Sequence, residues 1–389
     1  MYYWHWLTSS TVRQASDLCS QALKLVKAQR DLITDENALT VQKKVAELQQ
    51  ALNQGRPKAE LETLMNALEH AASQNLKPYP DAAIRENIEM FLTTTSVILA
   101  VFTFFVQHFA IPTGSMQPTL FGITRQNHAG DPNFQIPSIG RRVYERLAKG
   151  VSYYHLTAPR DGALEAVEPP KTLIPFVRRQ RIMIGGEWST LWFVPTDLVD
   201  YAGLRPGQTY KQGDDVIKLK VTAGDHLFVD RLTYNFRPPT RGEIIIFAST
   251  GIPMLIQDTY YIKRLIGLEG EKVAVGDDRH VRINGNRLDA STPHFENVYS
   301  FKGAPLADHY SGHVNQKVAN QNGGLNLAPL FFDGNQEQIV GPGRFLVMGD
   351  NTMNSFDSRG WGDFPKVKVI GKAFFVFWPF TERVGWGVR

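Results

Sequence analysis

The stretch that decides the fold is "FVQHFAIPTGSMQPTLFG", Phe105 to Gly122. It opens as the tail of an apolar run. It then turns polar, with Gly114 and Pro118 on either side of one small hydroxyl, Ser115. A serine held in a Pro/Gly bend directly behind a membrane-length segment is the feature to be explained. Working outward, no Asp, Glu, Lys or Arg occurs from Met90 to Thr124, and the centre, Ser96 to Val106, is strongly apolar. A run of this length crosses a hydrocarbon core of about 30 Å. A buried core helix is the alternative, since Thr93, Thr94, Thr95, Gln107 and His108 are polar. A removed secretory signal is disfavoured because Met1 to Glu89 precede the run.

Composition limits what else the chain can be. It has 389 residues, with 43% hydrophobic and 21% charged, which describes ordinary folded protein around a single span. A net charge of +4 with no dense Lys/Arg stripe gives no case for nucleic acid. Cys19 is the single cysteine, so neither an internal disulfide nor a cysteine metal site is expected. The ten histidines show no H-E-x-x-H spacing, and the acidic turns lack the offsets of a Ca²⁺ loop. No metal and no cofactor are expected.

Before the run, residues 1–78 read as helix. Ala15, Leu18, Ala22 and Leu25 recur at helical spacing, as do Val41, Val45, Leu48 and Leu52, and Leu61, Leu64, Leu68 and Ala71. Thr34-Asp35 reads as an N-cap, and Gly55-Arg56-Pro57 as a break. The narrow stripes predict a small bundle or a coiled-coil hairpin; a partner-binding helix is the alternative. Residues 79–89 read as a linker, 90–111 as the transmembrane helix. Lys77 and Arg85 before the span, against Arg125 after it, bias the N-terminus slightly towards the cytoplasm.

Residues 112–389 read mainly as β. "DVIKLKV", "DHLFVDRL", "GEIIIFA", "EKVAVG", "HVRINGNRL", "GRFLVMG" and "KAFFVFW" are short strands between Gly, Asp and Pro. A helical period is visible around Arg141 to Ala148. Insertions are expected at about 122–215 and 292–338. The basic "VRRQR", Val177 to Arg181, reads as a solvated hairpin or as a contact for anionic lipid or substrate. "FFVFWPF", Phe374 to Phe380, with Trp386, reads as core strand or as a surface resting on lipid.

For chemistry, no G-x-S-x-G elbow is present, and no local signature favours a Ser-His-Asp set. Ser115 and Lys263 remain. By itself, Ser115 is as consistent with a turn hydroxyl, and Lys263 with a solvated strand lysine. In a strand, Lys263 points away from Ile262 and Arg264, which would leave Arg264 facing out. A free lysine, pKa about 10.4, is protonated at neutral pH. Apolar burial lowers it by up to about 3–5 units, and a neutral amine can then activate a serine.

Several stretches then resemble, in order, the boxes of bacterial signal peptidase I, the membrane-anchored serine protease that removes signal peptides. They are "IPTGSMQPTL" (Ile111 to Leu120), "GDHLFVDRLTYNFRPPTRGEIIIF" (Gly224 to Phe247), "YYIKRLIGLEGEKV" (Tyr260 to Val273) and "GDNTMNSFDSRGWGDFP" (Gly349 to Pro365). The resemblance implies that Ser115 is the nucleophile and Lys263 the general base. Thr113 and the Ser115 backbone N–H would stabilise the oxyanion, and Ser355 would orient the lysine. Asp350, Asp357, Arg359 and Arg264 would support the site, and Met116 would lie near the substrate cleft. Thr352 and Glu243 depart from the family pattern, where Arg and Asp are usual. The fold implied is a mainly β catalytic domain of signal peptidase I type, preceded by one transmembrane helix and an α-helical N-terminal region.

The implied partners are signal peptides of exported preproteins and the lipid bilayer, with a cytoplasmic partner for the N-terminal helices as a further expectation. The implied location is the bacterial inner membrane, with the N-terminus cytoplasmic and the catalytic domain periplasmic. A self-cleaving repressor-type Ser-Lys protease and a catalytically silent membrane scaffold are the alternatives. The span and the lack of a DNA-binding motif argue against the first; intact Ser115 and Lys263 argue against the second.

Overall fold

The computed structural model describes residues 9–77, 82–175 and 177–386. It divides into two units, Met1–Ser96 and Val97–Arg389. In the first, helices Ser10–Ala28, Asp35–Asn53 and Lys58–Asn75 pack together as a three-helix bundle. Thr34 caps the second helix by accepting from the Asn37 N–H, and Gly55 takes a left-handed φ of 67° at the break before the third. The buried stripe of the second helix is the expected Val41, Val45, Leu48 and Leu52, joined by Ala51. In the first helix it is rotated: Ala15, Cys19, Ala22 and Val26 are buried and Leu25 is exposed. Two helices pressed against this one favour its row of small side chains, which lets the backbones approach closely.

The apolar run forms a helix over Ala82–Phe104, 23 residues long. At 1.5 Å per residue that is about 35 Å. Among the described residues it is the one helix long and apolar enough to cross a membrane, with a mean hydropathy of 1.5 in its most apolar 18-residue stretch. It begins and ends earlier than the expected 90–111. Residues 82–89, expected as linker, are helical, and the remainder of that linker up to residue 81 lies outside the described residues. Residues 106–110 are a strand, because their backbone is taken into the main sheet, where Val106 faces Asp230 and Ala110 faces His226.

That sheet is antiparallel. Its order is 106–110, 226–230, 369–378, 244–248, 260–267, 344–348, 364–365, with 385–386 added against 369–378. The central strands are near-continuous apolar runs, and the faces are packed by Ile111, Met116, Leu227, Val229 and Ile246 in one cluster and by Ile245, Phe247, Leu265, Val347 and Phe364 in another. A second sheet, ordered 286–287, 281–283, 272–275, 337–339, packs Val273, Val281, Phe295 and Phe331 against Ile266, Leu346 and Met348 of the first. The polar segment 292–338 is not a free excursion. It covers this core and carries one short helix, Gln316–Gln321.

The stretch between the serine and Gly224 builds its own β structure. Three strands are ordered 124–127, 215–222, 151–157, and five more lie over 162–210. Their shared core includes Leu164, Ile182, Ile184, Leu198, Ile217 and Leu219. "VRRQR" lies in an inner strand of this unit, pairing on both sides, with Arg181 held by Glu168. The C-terminal aromatic stretch is mixed. Val376 is buried, Phe374, Phe375, Phe377 and Trp378 are half-buried, and Phe380 and Trp386 are exposed.

Candidate active site

Ser115 sits in one turn of 3-10 helix, Gly114–Met116, just past the edge strand. Its position follows from how closely the chain is drawn in on both sides. A Cβ on Gly122 would lie 2.2 Å from the Thr113 carbonyl carbon, and one on Gly224 would lie 1.8 Å from the Ile111 oxygen. Only glycine permits that approach. The Ile111 N–H donates to the Asp225 oxygen, and the Phe121 N–H to the Asp225 carboxylate, itself clamped by both Nε and Nη2 of Arg383. Behind the serine, Asn351 donates from its backbone to the Ser115 oxygen (3.1 Å) and from Nδ2 to the Gly114 oxygen (2.9 Å). Nothing in the sequence singles out Asn351, although it lies inside the "GDN" box; a single short polar residue carries no signal of its own there.

Lys263 lies in strand 260–267, opposite Ile245. Its Nζ is 2.8 Å from Ser115 Oγ and 3.0 Å from the Ile262 oxygen. Both side chains are buried, Lys263 at 3% exposure and Ser115 at 7%. Burial pulls the lysine pKa from its ordinary 10.5 down to about 8, with Asp357 and Asp350 opposing and Arg359 assisting. The pair opens onto a cavity of about 420 Å³ whose other walls include Thr113, Tyr261, Leu327, Met353 and Phe356. Thr113 is exposed at its rim.

Three expectations about neighbouring residues are revised. Ser355 lines the cavity but makes no hydrogen bond to Lys263. Its Oγ is buried without a partner, though it lies near enough to Asp357 to favour the ionised carboxylate. Met116 is fully buried in the core beneath the loop rather than at the cleft, because the 3-10 turn directs it inward as it presents Ser115 to Lys263. Arg264 does not face out. The alternation holds, but the second sheet and the 292–338 segment cover the other face of the strand, so Arg264 is completely buried. It grips Asp350 at 2.7 and 2.5 Å and donates to the Gly242 and His294 oxygens. Asp350 also accepts from Thr119 at 2.5 Å, which ties the serine loop to the residue beside Lys263. The two residues that depart from the family pattern are both held by neighbours. Thr352 accepts from Arg359 Nη1 (2.7 Å) and from the Val314 N–H (2.9 Å). Glu243 binds Arg237, Lys372, Tyr234 and the Thr240 N–H; burial works against its charge, but these partners hold its pKa at about 2.

Asp357 and Arg359 form a second buried pair. Asp357 caps the short helix Ser358–Trp361, accepts from the Gly349 N–H at 2.9 Å, and binds Arg359 Nε and Nη2, each at 2.8 Å. Burial opposes its ionisation, yet the guanidinium keeps its pKa below the usual value. Arg359 spends its remaining donors on Thr352 and the Val314 oxygen. No group of His, Cys, Asp and Glu suited to a metal occurs among the described residues.

Residues 213–378 match the family model described as "Signal peptidase, peptidase S26". Ser115 lies before that segment, across the accessory β structure. The chain is 35% identical over 162 residues to a protein named "Probable signal peptidase I-2" of Synechocystis, covering 41% of this chain and 58% of the relative. It is 34% identical to signal peptidase I of Leptolyngbya laminosa, covering 41% and 63%. It is 26% identical to signal peptidase I of Bacillus caldolyticus over 52% of this chain and 96% of that one. The match thus spans about six tenths of the length of the first two relatives. A crystal structure of a signal peptidase I from Enterococcus faecalis aligns at 29% identity over 34% of this chain and 95% of its own, with a TM-score of 0.22. Three of the four boxes that resemble signal peptidase I, Gly224 to Phe247, Tyr260 to Val273 and Gly349 to Pro365, lie within the matched residues, and the chain has the mainly β domain, the apolar helix and the helical N-terminal region expected.

Proposed function

We propose that this chain is a membrane-anchored endopeptidase that removes N-terminal signal peptides from exported preproteins, using Ser115 as nucleophile and Lys263 as general base. The observation that carries the reading is the 2.8 Å contact between Lys263 Nζ and Ser115 Oγ in a buried site. A pKa of about 8 leaves a usable fraction of the amine neutral near pH 7. The neutral amine takes the Ser115 proton as Oγ attacks the scissile carbonyl. The Ser115 N–H and the Thr113 hydroxyl receive the negative charge that develops on the carbonyl oxygen. The ammonium then returns its proton to the leaving amine. A water, deprotonated by the same lysine, releases the acyl group and restores the serine.

The helix Ala82–Phe104 would anchor the enzyme, with the bundle in the cytoplasm and the β domain on the outer face. A cleavage site emerging from the bilayer would then meet the serine at its own depth, which accounts for a hydroxyl directly behind the span. The bundle lies outside the peptidase similarity and is read as a separate module, free to engage a cytoplasmic partner. The test is cleavage of a preprotein by the purified full chain in detergent, against Ser115→Ala. Product at the signal-peptide junction from wild type alone is expected; equal cleavage by both would defeat the assignment.

A further inference from the structure

The helix Ile139–Lys149 in the accessory structure is built inside out. Its one buried residue is a glutamate: Glu145 is 7% exposed, held by Arg141 Nε at 2.9 Å and by the Tyr153 hydroxyl at 2.6 Å. Ile139, Val143 and Leu147 stand in solvent, at 71, 53 and 69% exposure. At 100° per residue these three fall within about 80° of arc, on the side opposite Glu145. Arg142, Arg146 and Lys149 flank that row on one side and Tyr144 on the other. Arg142 Nε is buried without a hydrogen-bond partner, and Arg146 lies over the Phe193 ring at 5.4 Å. An aliphatic row edged by cations is how a helix meets an anionic membrane surface.

The position of the helix agrees with this. Phe102, in the apolar span, contacts Phe228 at 6.0 Å, and Phe228 stacks on Phe377 at 4.5 Å. Phe377 meets His226 at 5.9 Å, and His226 meets Trp378 at 4.8 Å. Trp378 Nε1 donates to the Leu147 oxygen at 2.7 Å, and the Phe380 N–H to the Ala148 oxygen at 2.8 Å. A continuous row of half-buried and exposed rings thus runs from the span to this helix. We propose that Ile139–Lys149 lies in the plane of an anionic bilayer, with Ile139, Val143 and Leu147 at the acyl boundary and Arg142, Arg146 and Lys149 on headgroup phosphates. This rests on the span lying in a membrane. It does not depend on the Ser-Lys chemistry.

The full chain, with Cys19→Ala, is reconstituted in nanodiscs carrying one nitroxide at Val143→Cys, or at Leu99→Cys in the span as a control. Collisional accessibility to oxygen and to a polar nickel complex is measured in phosphatidylcholine with phosphatidylglycerol at about 7:3 and in phosphatidylcholine alone. The control label must report lipid in both; failure there would sink the membrane anchor rather than the helix alone. The Val143 label is expected to favour oxygen over nickel in the anionic discs, and to lose that preference in neutral discs and in Arg142→Ala/Arg146→Ala/Lys149→Ala. Removing three cationic side chains should weaken the insertion equilibrium by on the order of a hundredfold. A water-exposed label in both lipids would overturn the proposal. So would equal insertion in both, which removes the role of charge, or shielding from both reagents, which would point to a protein covering the helix. Unchanged peptide cleavage by the triple variant shows that it is folded.

Discussion

Arg264 offers a quantitative test of how the site is held. It is fully buried, satisfies Asp350 with two hydrogen bonds and two carbonyls with others, and sits beside Lys263. Arg264→Ala would leave Asp350 as a buried carboxylate with Thr119 as its remaining side-chain donor apart from solvent that enters the void. Breaking one half of a buried pair costs roughly 3–5 kcal/mol. The two stranded carbonyls would add to that by up to about 1–3 kcal/mol each. Arg264→Met with Asp350→Leu removes both charges and refills the volume, so the double variant should lose less stability than Arg264→Ala by about 2 kcal/mol or more, while staying below wild type because Gly242 and His294 lack their donor. Denaturant unfolding in detergent, followed by tryptophan fluorescence, of wild type, Arg264→Met, Asp350→Leu and the double variant gives the four corners of the cycle, with Arg264→Ala measured beside them. Activity should fall in both variants, since Asp350 no longer connects Thr119 in the serine loop to the lysine strand. An Arg264→Ala protein within about 1 kcal/mol of wild type, or a double variant as costly as the two single changes added together, would refute the view that this pair braces the site.

The pH dependence has a definite sign. In the proposed mechanism Lys263 works as its neutral form, so kcat/KM should rise through an apparent pKa of about 8 and fall roughly tenfold per unit below it; a profile flat between about pH 6 and 9 would count against Lys263 as base. Lys263→Arg should be nearly inactive while folded by circular dichroism, because a guanidinium keeps its proton in this range. Ser115→Cys should retain a trace of cleavage sensitive to thiol reagents, Cys19 being buried in the bundle. Thr352→Val should cost about 1–3 kcal/mol in denaturant unfolding, by orphaning an Arg359 donor and the Val314 N–H. Deletion of residues 1–78 should leave peptide cleavage largely intact; a folded, inserted truncation without activity would make the bundle part of the catalytic unit.

The strands of the main sheet were legible because they are short apolar runs bounded by Gly, Asp and Pro, and the Ser115 and Lys263 boxes because each puts an unusual residue in a distinctive frame. What could not be read is non-local. Whether Arg264 faces water depends on a second sheet and a polar segment that covers it, and nothing in "YIKRLIG" announces that cover. Met116 and Ser355 are placed by a 3-10 turn and by a loop whose geometry is set by distant parts of the chain. The accessory strands escape a sequence reading for a different reason. Segments such as "GALEAV" and "EWSTLW" are short, mixed in polarity and half-exposed, so their periodicity is weak; the exceptions are "DVIKLKV", whose alternation is clear, and the helix near Arg141 to Ala148, whose cations and apolar residues segregate by face.

The central sheet has a temporal consequence. Ser115 and Lys263 lie 148 residues apart in sequence, and strand 369–378, which pairs between 226–230 and 244–248, follows both. During synthesis the serine leaves the ribosome long before its lysine, and the lysine before the strand that closes the sheet. Contacts of such long span form late. Under the proposed chemistry, a growing or prematurely terminated chain would therefore carry Ser115 without the lysine that activates it, and the site would be completed only once strand 369–378 has been made.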